Sequence, residues 1–336
     1  MSATSQRIVL ASRPTGAVTP DNFRLETVPV PEPAEGQVLV RVHYLSLDPY
    51  MKGRMIESRS YAQPHPIGDT MIGGTVGVVE KSRNPKFMAG DTVAGVLGWQ
   101  EYGLSDGRGL VKVDSSQVPM SAYLGVLGMP GVTAWYGLNR ICEPKAGETV
   151  LVSAASGAVG SVVGQLAKMA GCRAVGIAGG PEKCGYVVDE LGFDACIDHR
   201  LHPDLKSMAR AVREVAPAGV DCLFENVGGI CLDGTLACMN PFGRIALCGL
   251  IAGYDGEAIP IHNTRMLLVM RLKLQGFIVG EHMDAWPAAL KELGAGVAGG
   301  RIKYRETIAT GLASAPEAFI GLLRGRNFGK QLVKLV

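Results

Sequence analysis

Apolar and polar residues alternate with a period of two from Gln37 to Tyr44 (QVLVRVHY), the pattern of a half-buried strand. His43 falls on the polar phase and is expected at the surface. Pro29, Pro31, Pro33, Gly36, Pro49, Gly73, Gly74, Gly77 and Gly90 punctuate this first third, and such spacing predicts short antiparallel strands in a barrel-like domain. The pattern changes near Met129-Pro130-Gly131. From there apolar runs alternate with helical periodicity. The runs predict strands over 148–153, 172–178, 194–198, 220–225, 244–249 and 272–279, with helices over 158–170, 182–191, 205–215 and 231–239. Continuous apolar strands separated by helices argue for a parallel sheet covered on both faces. The tail predicts one strand (304–309) and one amphipathic helix (315–324).

Length and composition narrow this picture. At 336 residues the chain has room for two domains, and 47% hydrophobic against 19% charged residues leaves ample core and little disordered coat. Lys+Arg 33 minus Asp+Glu 31 gives +2, which supports neither a nucleic-acid nor an acidic-membrane partner. The longest uncharged stretch, Thr149 to Ala167, approaches the length of a membrane span. Its β-branched start and small, Gly-rich middle instead read as strand, turn and helix. The N-terminus carries too short an apolar core for a signal peptide. All eight Cys lie at or after Cys142 and none forms a C-x-x-C pair, so they read as reduced, mostly buried thiols of a cytoplasmic protein.

The strongest chemical signal is LVSAASGAVGSVVGQLAK, residues 151–168. It is a strand, then Ala155-x-Gly157-x-x-Gly160, then a helix: a dinucleotide fingerprint with Ala in its first position. The middle Gly admits a pyrophosphate, the last admits the helix against its strand, and the helix N-terminus offers N–H groups to the anion. Small residues at strand–helix turns also serve plain packing, but a second strand and helix follow at the right spacing. The second strand ends in Ala178-Gly179-Gly180, without the acid that would hold a ribose 2′-hydroxyl. Lys183 follows instead, and His199 and Arg200 close the next strand. A missing acid with an added base favours NADP(H) over NAD. A solvated helix-face lysine is the competing account of Lys183.

These segments resemble the zinc-independent medium-chain dehydrogenase/reductase superfamily, and within it the prostaglandin reductase and bacterial curcumin reductase-like family. The carrying segments are LSLDPYMKGRM (45–55), IGGTVGVV (72–79), GMPGVTAWYGL (128–138), AASGAVGSVVGQLAK (154–168), ENVGG (225–229), GRIALCGLIAGY (243–254), LQGFIVG (274–280) and NFGKQLV (327–333). The resemblance implies an α/β fold, a Rossmann doubly wound parallel sheet (128–300) plus a GroES-like β-barrel-type catalytic domain (1–127 and 301–336), in a homodimer. It implies that the loop Ala155, Gly157, Ala158, Val159 and Gly160 holds a pyrophosphate. Lys183 would bind a 2′-phosphate, with His199 where the family often has a tyrosine. Asn226, Cys248, Gly249, Tyr254, Phe277, Ile278, Val279 and Asn327 would line the cofactor.

Zinc alcohol dehydrogenases carry a Cys after the strand matching Val38–Val42 and a G-H-E motif. Here those places read Ser46-Leu47-Asp48-Pro49-Tyr50 and Ile72-Gly73-Gly74, so no metal is expected. Without a Lewis acid, reduction of an activated C=C bond fits better than alcohol dehydrogenation. Hydride delivery to the β-carbon of an enal or enone builds charge on the carbonyl oxygen, which needs a donor, while the α-carbon needs a proton. Tyr254 is the first candidate for this work and Tyr50 the second; Tyr61 could shape the substrate mouth. Half-buried packing is the plainer role for each. The expected activity is an NADPH-dependent alkenal/enone double-bond reductase acting on a small α,β-unsaturated carbonyl compound. The alternatives are a quinone reductase of the same superfamily or a non-catalytic NADPH-binding protein.

Overall fold

The run Thr149–Ser153 is buried at all five positions, and Val220–Glu225 at five of six. Strands this apolar are stable only with both faces covered, and they form the middle of a six-stranded parallel sheet. In space the order is Ala195–Asp198, Arg173–Ala178, Thr149–Ser153, Val220–Glu225, Met239–Leu247, Lys273–Gly276. In chain order that is third, second, first, fourth, fifth, sixth, the doubly wound arrangement with its switch point between the first and fourth strands. One face packs on a core of Leu151, Val175, Ile177, Leu223 and Ile245 against Met208, Val212, Leu232 and Leu236. The uncharged stretch from Thr149 divides into this first strand, a turn and the helix Gly160–Met169.

The computed structural model describes residues 3–336 and divides into two compact units, Met1–Gly125 with Glu306–Val336, and Val126–Arg305. The first unit holds a seven-stranded, mainly antiparallel sheet around Val38–Ser46, which pairs with Gly74–Ser82, Tyr102–Ser105 and the C-terminal strand Lys330–Lys334. Its core centres on Trp99, stacked on Phe23 at 5.2 Å and edge-on to Phe319 at 5.7 Å. A hairpin, Thr4–Leu10 with Phe23–Pro29, completes it.

Several elements depart from the expectation. The predicted helix 182–191 is a short helix, Pro181–Gly185, running into a wider turn in which the Leu191 amide reaches back five residues to Tyr186. The helix expected over 231–239 is Gly229–Leu236, because Met239 already pairs with Val220 as a strand residue. The last strand stops at Gly276, where Phe277 turns into an aromatic cluster. His43 is half-buried rather than exposed, since the strand bulges between Val42 and Tyr44. A 13-residue helix, Trp286–Ala298, was not evident in the pattern; its Ala and Gly content blurs the apolar stripe.

Candidate cofactor site

The turn after the first strand is built by two residues with opposite needs. Ala154 takes the left-handed conformation (φ 50°), while Ala155 does not, and its amide reaches the Ile177 carbonyl at 2.9 Å. The fingerprint's first position therefore needs no glycine, and Ala155 is fully buried against the second strand. Gly160 has no such latitude: a Cβ there would lie 2.4 Å from the Ala154 carbonyl oxygen. A Cβ on Gly157 would come only within 3.1 Å of the same oxygen. The amides of Ala158, Val159 and Gly160 donate to no backbone or side-chain acceptor among the described residues. Three unclaimed N–H groups at the start of a ten-residue helix form an anion cradle.

Beside it lies a basic cluster. Asp198 accepts the amides of Gly180 (2.8 Å) and Arg200 (3.1 Å), which fixes both ends of a small pocket. Burial pushes the Asp198 carboxyl up, but these two bonds and the neighbouring His199 and Arg200 outweigh it and hold it below its ordinary range. Arg200 folds back over the Gly179–Gly180 turn, its Nη1 2.9 Å from where a Cβ on Gly180 would stand; His199 Nε2 holds the same relation to Gly179. Lys183 is half-buried, and burial followed by the Arg200 charge lowers its pKa. His199 is lowered by burial and by Arg200 and Lys183, against the pull of Asp198. Lys183, His199 and Arg200 thus crowd one corner, an arrangement a bound dianion would relieve. The sequence flagged Arg200 only as a bordering residue; its approach depends on Gly179 and Gly180 lacking side chains.

The remaining predicted residues of this unit cluster at the carboxyl ends of the neighbouring strands, where open α/β sheets bind ligands. Asn226 donates its amide to Ser153 Oγ (2.8 Å) and its Nδ2 to the Ser153 carbonyl (2.7 Å). Cys248 and Gly249 donate to the Glu225 carbonyl, and Gly249 fits because a Cβ there would sit 3.1 Å from the Asn226 carbonyl. Burial, then the Glu225 charge, pushes the Cys248 thiol up to about 12, so it is no thiolate. Tyr254 is half-buried just past the turn Ile251–Gly253. Phe277 and Ile278 are half-buried and Val279 is buried. Phe277 packs on Tyr136 (5.5 Å) and edge-on to Phe224 (6.3 Å), and Tyr136 in turn stacks on His282 at 4.2 Å.

Three of the residues singled out in the sequence belong to the other unit. Tyr50 opens the short helix Tyr50–Arg54 and is half-buried; burial and then the Asp48 charge raise its pKa, so its phenol stays protonated. Asp48 is clamped by Ser46 and by Lys330 at 2.8 Å, a buried ion pair joining this loop to the last strand. Asn327 spends its Nδ2 on the Gly329 carbonyl at 2.7 Å. Tyr61 is exposed, with the Arg54 guanidinium over its ring. Among the described residues no group of three or more His, Cys, Asp or Glu side chains is arranged to hold a metal.

The family models agree with this anatomy. One described as the N-terminal domain of oxidoreductase matches residues 6–113, and one described as zinc-binding dehydrogenase matches residues 158–295. An NADPH-dependent curcumin reductase of Escherichia coli (strain K12) is 47% identical, covering 98% of this chain and 97% of that protein. The chain belongs to the zinc-independent medium-chain reductase family. A 2-alkenal reductase (NADP(+)-dependent) of Nicotiana tabacum is 41% identical over 98% of this chain and 97% of its own. The crystal structure of CurA in complex with NADPH from Vibrio vulnificus superposes with a TM-score of 0.93, at 46% identity and coverage of 98% and 99% of the two chains. The zinc named in the second family description has no counterpart in this reductase's sequence, where Ser46, Asp48 and Ile72-Gly73-Gly74 stand at the expected ligand places.

Proposed function

We propose that this reductase uses NADPH to saturate the C=C bond of α,β-unsaturated aldehydes and ketones. The observation that carries the reading is the anion cradle of Ala158–Gly160 beside the three-base cluster of Lys183, His199 and Arg200, in a chain so closely related to NADPH-dependent curcumin and 2-alkenal reductases. The cradle fits a pyrophosphate and the cluster fits a 2′-phosphate: one lacks a Cβ where backbone must close, the other gathers cations where an NAD site would carry an acid. Asn226, Cys248 to Tyr254 and Phe277 to Val279 line the nicotinamide side. Bound NADPH supplies hydride to the substrate's β-carbon.

The chain's own work is to hold, orient and donate. Tyr254 donates its phenol hydrogen to the substrate carbonyl oxygen as negative charge builds there. Tyr50 is the second candidate donor, kept protonated by burial. The free thiols support a cytoplasmic setting. A homodimer is supported by the outer edge of Lys273–Gly276, which pairs with no strand among the described residues, and by Leu268 of the preceding helix, 79% exposed. Among the described residues no helix is long and apolar enough to cross a membrane.

Steady-state NADPH oxidation with a 2-alkenal, an aryl enone and a small quinone tests the assignment. Alkenal or enone turnover is expected to exceed quinone turnover. Preference for the quinone would make the protein a quinone reductase, and NADPH binding without turnover of any of the three would leave a cofactor-binding protein.

A further inference from the structure

Glu225 ends the fourth strand and is fully buried, yet among the described residues no cation pairs with it. Its Oε1 accepts three bonds: from Ser153 Oγ (2.9 Å), from the Val227 amide (2.6 Å) and from the Gly228 amide (2.7 Å). Its Oε2 is equally buried and accepts none from the described residues. One hydrogen bond, through Ser153, separates the carboxyl from the strand end that launches the phosphate loop. The same carboxyl anchors the amides of Val227 and Gly228, and Ser153 holds Asn226 on both its backbone and its side chain. Glu225 is therefore the node from which both walls of the cradle hang.

We propose that Glu225 is a positioning residue of the cofactor site, and that its bare Oε2 takes up a proton from solvent when NADPH binds. An ionised carboxylate with one uncompensated oxygen is costly in an apolar interior, and added negative charge nearby makes it costlier. The phosphates bring that charge to the adjoining loop. The other titratable groups facing Glu225 are thiols: Cys231 from the following helix and Cys248 from the next strand end. Burial, with the Glu225 charge second, raises both to about 12, so neither competes for the proton. Burial pushes Glu225 itself up to about 7, against the lowering effect of the bonds from Gly228, Val227 and Ser153 and of the nearby Asn226 amide. In the free protein near neutral pH the carboxyl is thus divided between its two forms.

The sign follows. NADPH binds the protonated form more tightly, so affinity falls as pH rises through the neutral range. Protein stability carries the same sign. An acid whose pKa is higher folded than unfolded favours the fold below the unfolded value of 4.5, and that contribution is lost as pH rises through about 7.

The proposal rests on the loop being the NADPH site, and calorimetry keeps the two separable. Titration of NADPH into wild-type and Glu225→Gln protein, in two buffers of different ionisation enthalpy, counts protons bound on association. The 2′-phosphate and His199 contribute equally to both proteins, so the difference belongs to Glu225. Wild type is expected to take up about half a proton more than the variant near pH 7. Its Kd should rise about fivefold more than the variant's between about pH 6.5 and 8.5. In the cofactor-free proteins, infrared spectra should show a buried protonated-carboxyl band that the variant lacks. Equal proton uptake and equal pH dependence in the two proteins would overturn the proposal and leave Glu225 a structural cap. No NADPH binding by wild type would instead overturn the cofactor assignment. Should Glu225→Gln fail to fold, Ser153→Ala serves: removing a donor to Oε1 raises the protonated fraction of the free protein, so proton uptake near pH 7 must shrink. An unchanged uptake there would count against the proposal equally.

Discussion

On the proposed reading, single side chains set which cofactor is accepted. Lys183 and Arg200 share one corner with His199, and a charge-assisted bond from such a group to phosphate is worth roughly 1.5–3 kcal/mol. Lys183→Ala should raise the KM for NADPH by about ten- to a hundredfold and leave that for NADH nearly unchanged; Arg200→Ala should do the same. Equal loss with both cofactors would remove either residue from 2′-phosphate recognition. Tyr254→Phe is the corresponding test of chemistry. A lost oxyanion donor or acid costs roughly 10²-fold in turnover while NADPH affinity holds, because the ring still packs. If the cofactor's own ribose hydroxyl serves the carbonyl oxygen instead, the Phe variant keeps its turnover on a small enal and a bulky aryl enone alike. Lys183 was readable in the sequence because an acid is conspicuously absent before it. Arg200 was legible only as a residue bordering the same pocket and Glu225 not at all: one folds back over two glycines, the other is buried, and neither fact is local in sequence.

At the scale of elements, the glycines separate packing from binding. A Cβ on Gly164 would stand 1.8 Å from the Phe193 ring, inside the helix that follows the phosphate loop. Gly164→Ala should therefore destabilise the cofactor-binding unit by about 1–3 kcal/mol, seen as a lower melting temperature. Gly157→Ala meets only one carbonyl oxygen, at 3.1 Å, and should fold normally while losing NADPH affinity. A variant pair that behaved the other way round would relocate the pyrophosphate. Strand and helix alternation was legible here because buried parallel strands are continuous apolar runs, and 205–215 and 220–225 match the structure end for end. Boundaries slipped where one apolar run served two elements. Cys238-Met239 reads equally as helix end or strand start, and only the pairing of Met239 with Val220 resolves it.

For the whole molecule, the family implies hydride transfer without metal assistance. Metal analysis of purified protein should find no stoichiometric zinc, and activity should survive prolonged chelation; about one tightly held zinc per chain would contradict this. Sedimentation should give twice the 35.4 kDa chain mass, and a charged residue at Leu268 should weaken that assembly if the outer strand edge is the interface. The fate of the double bond bears most directly on the account as a whole. NADPH deuterated at the transferable position, incubated with the enzyme and an aryl enone, yields a product that NMR can read atom by atom. The account predicts a saturated ketone with deuterium on the β-carbon, solvent hydrogen on the α-carbon and the carbonyl intact. Deuterium on the carbonyl carbon, giving an allylic alcohol, would contradict it.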